Sequence, residues 1–190
     1  MLALAHAGIT LGMTVLAGSV AKNQVKAKTG VIAWLASFSE RIDFRILLIG
    51  ALLPDIIDKP IGGIIFRDEL SSGRIYSHTL LFLIIIAVAG LLLYRLRGSI
   101  WMLVFAFGTF FHHILDQIWL MPETMLWPIL GTEFERLPVT DWLSLWFSDF
   151  FSRLDIFIPE LIGLGVLLWY GIILINRKKV GVFLRYGKHY

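Results

Sequence analysis

The sequence predicts an all-α protein, a polytopic membrane helix bundle of about five transmembrane or partly inserted helices with an interfacial aromatic segment. Three observations predict it. Of the 190 residues, 57% are hydrophobic and 16% charged, and the mean hydropathy is +0.78, beyond the apolar share of soluble domains. The apolar residues gather in runs close to the roughly 20 that cross a bilayer as a helix. Basic residues flank these runs more than they interrupt them, as membrane topology requires.

The runs, in order, are residues 2–20, 42–57, 77–94, 99–121 and 156–176. The first has the length of a signal peptide, but it lacks a basic leading region and carries His6, so a retained helix is expected. The second is short and holds Arg45 and Asp55, so it is expected to lean on the Val31 to Phe38 stretch or to insert in part. Residues 122–155 mix Glu123, Glu133, Glu135, Asp141 and Asp149 with Trp127, Trp142 and Trp146. Such a mixture suits chain at the headgroup level, either as a cap over the outer end of the bundle or as an ordinary aromatic belt. Residues 177–190 form a basic tail, and the whole chain, 1–190, reads as a single integral membrane domain without internal repeats.

With five crossings, three basic groups fall on one side: Lys22, Lys26, Lys28, Arg41 and Arg45; Arg95 and Arg97; and Arg177, Lys178, Lys179, Arg185 and Lys188. The other side holds Lys59, Arg67 and Arg74 in one loop and Arg136 and Arg153 in another. A cell-membrane protein with its N-terminus outside and its C-terminal tail in the cytoplasm is therefore expected. The formal charge of +3 is modest and spread along helix ends, which argues against a nucleic-acid partner. Cysteine is absent, which removes disulfides and thiolate ligands and leaves imidazole and carboxylate to hold any metal.

The polar residues within or bordering the runs are His6, Asp55, Asp58, His78, His112, His113 and Asp116. On this topology all of them fall toward the outer side. Asp116 lies five residues before Met121, about 7 to 8 Å from the expected helix end. A charge in hydrocarbon costs on the order of 3 kcal/mol, so such groups are normally paired, metal-bound or facing water. His112 and Asp116, four apart, share a helical face and can reach one cation. Each also has a plainer reading. The His112–Asp116 pair suits an interhelical hydrogen bond, His6 a frayed terminus, Asp55 a turn after Pro54, Asp58 a cap, and His78 a polar residue near a helix start beside Ser77 and Thr79. His113 points away from the His112 face, so it is expected to support a ligand or remain exposed.

These residues resemble a known family, the YdjM-type membrane-bound metal-dependent hydrolases, also described as LexA-binding inner membrane-associated hydrolases. The likeness rests on His6 with Gly8, Leu53-Pro54-Asp55-Ile56-Ile57-Asp58, Arg74 with Ser77-His78-Thr79, His112 with Asp116, and Trp127-Pro128, in order from residue 6 to about 130. The motif pattern is also similar to that of zinc-dependent phospholipase C. The resemblance implies metal ligation by His6, Asp55, His78, His112 and Asp116, with Asp58 and His113 as supporting groups or further ligands. It implies one to three divalent ions, zinc foremost. Two departures stand out: Gly73 replaces a histidine common before the family's arginine, and the second aspartate of the Pro-Asp element is displaced by one residue to Asp58.

The function expected on these grounds is hydrolysis of a lipid or lipid-linked phosphoester by metal-activated water. Asp55 would be a bridging ligand or base and Arg74 a phosphate contact. Membrane lipid or a small lipid-linked molecule would be the partner. Two other classes compete. An ion or proton transporter should continue its polar path inward, whereas residues 83–93 and 164–175 carry no charge. A non-catalytic membrane interaction protein would hold a structural metal in closed coordination.

Overall fold

The computed structural model describes residues 2–23, 41–136 and 152–188. Among these are seven α-helices and no strand: α1 (Ala3–Asn23), α2 (Phe44–Pro60), α3 (Leu80–Arg97), α4 (Trp101–Leu115), the single turn α5 (Pro122–Met125), α6 (Leu154–Asn176) and α7 (Val180–Tyr186). The Val31 to Phe38 stretch, Lys26, Lys28, and Asp141, Trp142, Trp146 and Asp149 of the expected cap lie outside the described residues.

The five expected runs correspond to α1, α2, α3, α4 and α6, and three of these, α1, α3 and α6, are long and apolar enough to cross a membrane. Helix α4, at 15 residues, is about 22 Å long against a hydrocarbon core of about 30 Å. Two boundaries differ from the sequence reading. The third helix starts at Leu80, because Tyr76–His78 form a 3-10 turn and Thr79 caps the helix, its Oγ1 accepting from Phe82 N at 3.1 Å. The fourth ends at Leu115, because Gln117 turns left-handed (φ 51°) before a 3-10 turn at Ile118–Leu120. Asp116 is thus the residue that closes the helix, not one buried a turn inside it.

Helix α2 is the central element. Asp43 caps it by accepting from Arg45 N at 2.9 Å. Pro54 has no N–H to give the carbonyl four residues back, so Gly50 O is free to accept from Thr109 Oγ1 on α4 at 3.2 Å. Ala51 O accepts from His112 Nδ1 at 2.7 Å, and Pro54 O from Ser77 Oγ at 3.0 Å. Three α2 carbonyls, of which the proline frees Gly50 O, thus anchor α4 and the segment that carries His78. Side chains at Gly50 and Gly108 would strike the facing backbone, so glycine lets α2 and α4 touch.

Helices α1 and α6 meet in the same way at Gly8 and Gly163. Below the polar residues, Leu11, Phe44, Leu47, Val104, Tyr170 and Leu174 form the apolar core. The tail returns to the start of α2: Phe44 N bonds Gly187 O at 2.9 Å, Arg45 Nη1 bonds Leu184 O at 2.8 Å, and Lys188 Nζ bonds Ile42 O at 2.9 Å. Helix α3 leaves Leu81, Ile84, Ile85, Val88, Leu91 and Leu92 exposed. That pattern suits lipid as the surrounding solvent.

Candidate metal centre

The site is assembled from α1, α2, the loop ahead of α3, and the end of α4. Among the described residues, Asp55, His78, His112 and Asp116 each offer a ligand atom, all within 4.8 Å of one another. Three separate parts of the chain thus deliver them to one point. His6 joins from α1, its Nε2 3.1 Å from Asp116 Oδ1 and its ring stacked on His112 with centroids 4.0 Å apart. All five expected ligands are therefore neighbours.

The far nitrogen of each imidazole fixes which nitrogen faces the centre. His6 Nδ1 lies 2.8 Å from Leu2 O and His112 Nδ1 2.7 Å from Ala51 O. A carbonyl only accepts, so both Nδ1 atoms carry the proton, and in the neutral ring both Nε2 atoms present a lone pair inward. His78 is held in the same way: its Nδ1 is 2.7 Å from Asp58 Oδ2 while its Nε2 lies 3.6 Å from Asp55 Oδ1 and 3.6 Å from Asp116 Oδ2. A carboxylate behind a ligand imidazole is the usual support for a metal-binding histidine.

The chain's own donors gather on Asp58 Oδ2. It accepts from Ile75 N at 2.8 Å, Ser77 N at 3.1 Å and His78 N at 3.2 Å besides the ring of His78. It folds the Ile75–His78 segment around itself and so aims His78. His113 also supports, its Nε2 donating to Ser77 O at 3.1 Å.

The centre has the chemistry of a cation site. His78 Nε2 and His112 Nε2 are 3.1 Å apart, and two lone pairs at that distance repel unless a proton or a cation lies between them. Buried Asp55 Oδ1 makes no hydrogen bond, and the inward lone pair of His6 Nε2 meets the acceptor Asp116 Oδ1 at 3.1 Å, states that buried polar atoms rarely adopt without an ion or water. Imidazole and carboxylate together suit zinc and similar divalent ions.

Two cations flank the carboxylates. Lys59 Nζ sits 2.5 Å from Asp55 Oδ2, and Arg74 Nε sits 2.7 Å from Asp116 Oδ2. Burial works against the charge on Arg74, but Asp116, with Asp55 and Glu135, more than offsets this and raises its pKa above the ordinary arginine value.

Glu160 is a functional residue that the sequence reading missed. Buried in α6, it accepts from Leu2 N at 2.8 Å, Leu4 N at 3.1 Å and Ala5 N at 3.2 Å. These amides have no helical partner at the start of α1, so a carboxylate from another helix caps them. It holds the turn that carries His6. The one sequence signal was an acid placed early in an apolar run, which marks a costly group needing a partner.

Apolar helices closing over a His and Asp cluster at one end define an integral membrane protein whose polar centre could hold a metal ion. The chain belongs to the YdjM inner membrane protein family, whose family model matches residues 1–184. No curated protein and no solved structure matches the chain.

Proposed function

We propose that this protein is a metal-dependent membrane hydrolase acting on a lipid or lipid-linked phosphoester. The reading is carried by one observation: imidazole Nε2 atoms from separate elements converge with Asp55 and Asp116, and His6 Nε2 and Asp55 Oδ1 are buried there without a hydrogen bond. The proposed ligands are His6, Asp55, His78, His112 and Asp116, binding one to three ions, with zinc foremost. A divalent ion, when bound, supplies Lewis acidity and brings the pKa of a coordinated water toward neutrality.

The chain's own residues have separable tasks in this proposal. Asp58 fixes the His78 tautomer, and the Ala51 and Leu2 carbonyls fix those of His112 and His6. Asp55 is our choice for a bridging ligand or base, because its Oδ1 is buried and unbonded. Arg74 is the phosphate contact, reaching the cluster with a side chain 34% exposed while Asp116 is 1% exposed. Partial exposure at that edge favours access over the closed coordination of a structural metal.

We also propose that the site faces outward and the tail faces the cytoplasm. In support, α2 runs from the docked basic tail toward the site, and α3 runs from the site toward Arg95 and Arg97. The test is metal analysis of purified protein beside hydrolysis of a phosphoester panel with metal present. Bound metal and turnover, both lost in Asp116→Ala, are expected. A metal-loaded protein inert toward the whole panel would reject the hydrolase reading.

A further inference from the structure

The phosphate contact has so far been assigned to Arg74 alone, yet Lys59 is its counterpart across the site. Lys59 stands one helical turn beyond Asp55 on α2, while Arg74 comes from the loop ahead of the 3-10 turn. Each cation holds the Oδ2 atom of a different carboxylate in the cluster. Their side chains are 21% and 34% exposed, whereas those of Asp55 and Asp116 are 9% and 1% exposed. An anion approaching from water therefore meets the cations before the carboxylates.

We infer that Lys59 and Arg74 together form an anion clamp, matched to a singly charged phosphodiester group when one divalent ion is bound. The inference rests on the metal reading above and deepens it. Charge decides the class of ligand. Among the described side chains of the centre, Asp55, Asp58 and Asp116 contribute three negative charges, Lys59 and Arg74 two positive ones, and imidazoles acting as ligands none. One divalent ion turns this balance from one negative charge to one positive charge. Apolar helices surround the centre, and unbalanced charge in such surroundings is costly, so a monoanion completes it.

The donor arrangement agrees with the charge. Arg74 Nη1 is spent on Met121 Sδ at 3.6 Å, a weak acceptor that a phosphate oxygen would displace at once. Lys59 offers three donors on a flexible stem and can turn from Asp55 to a ligand without losing its charge. Glu135, which acts on Arg74 along with Asp116 and Asp55, is exposed, where water and salt screen it.

The experiment uses the full chain in detergent, with dimethyl phosphate as a phosphodiester that lacks a lipid tail and acetate as a monoanion of different shape. Binding is followed by calorimetry with and without one equivalent of Zn2+, and metal content is measured on the same samples. Dimethyl phosphate is expected to bind in the presence of zinc and not in its absence, more tightly than acetate. Lys59→Met and Arg74→Met are each expected to weaken it by about tenfold or more, the effect of losing one charge-assisted hydrogen bond. Lys59→Arg should restore most of the loss.

Zinc uptake with no dimethyl phosphate binding, or with affinity unchanged in Lys59→Met, overturns the clamp and leaves the metal reading standing. Equal affinity with and without zinc also overturns it. Failure to take up zinc at all rejects both readings, and metal content reveals that outcome separately.

Discussion

Asp58 shows how much one side chain can organise beside a candidate metal centre. Its carboxylate accepts from three backbone amides and from His78 Nδ1. Asn in its place can set one neutral carbonyl oxygen before those donors, but it lacks the negative charge that holds the proton on His78 Nδ1 and makes Nε2 the stronger ligand. Asp58→Asn is therefore expected to lower metal affinity about 10- to 100-fold, the usual effect of losing the group behind a ligand histidine. Competition with a chromogenic chelator measures it, and unchanged affinity would contradict the role. Glu160 makes the parallel case for α1. Glu160→Ala strips the partners from Leu2, Leu4 and Ala5 amides, at a cost of about 1–3 kcal/mol for each donor left buried. Hydrogen exchange at Leu4 and Ala5 should accelerate strongly while that in α4 stays slow. The two acids differed in legibility for a physical reason. Asp58 stood in a motif beside Asp55, whereas the partners of Glu160 are backbone amides up to 158 residues away, which no side-chain pattern marks.

At the scale of elements, apolar run length was enough to place five helices, since hydrocarbon thickness sets their span. It could not place their ends near the site. Ser77 and His78 were drawn into α3 and residues 116–121 into α4 because nothing in hydropathy signals a 3-10 turn or a left-handed Gln117. The convergence of His6, Asp55, His78, His112 and Asp116 was legible, because charges in lipid need one another. Its means were not, since backbone carbonyls of α2 at Gly50, Ala51 and Pro54 do the anchoring. Contacts between helices were equally hidden. At Gly163 a Cβ would strike the backbone of Leu4 and Ala5, one residue before His6. Gly163→Val is accordingly expected to push α1 away from α6 and withdraw His6 from Asp116. Metal affinity should fall, whereas Gly165→Val, where a Cβ meets open space, should leave it unaltered. Equal behaviour of the two variants would show that the α1–α6 contact does not govern the site.

For the whole molecule, the centre joins four separate parts of the chain at one end of the bundle. Its groups come from α1, α2, the loop before α3 and the end of α4, while the apolar core lies deeper, around Leu47, Val104 and Tyr170. Without an ion, the convergent carboxylates and lone pairs oppose one another, and Lys59 and Arg74 offset this in part. An ion that binds the folded bundle and not the separated helices stabilises it by mass action, by about 2.7 kcal/mol at a free concentration one hundred times Kd. Saturating zinc should therefore raise the unfolding temperature, and chelation should reverse the rise. His112→Ala should abolish the zinc-dependent part, because His112 is both a proposed ligand and the partner of Ala51 O. Thermal unfolding of the detergent-solubilised protein in zinc and in chelator measures this. A His112→Ala protein that keeps the full zinc-dependent shift would mean that the ion binds elsewhere on the chain.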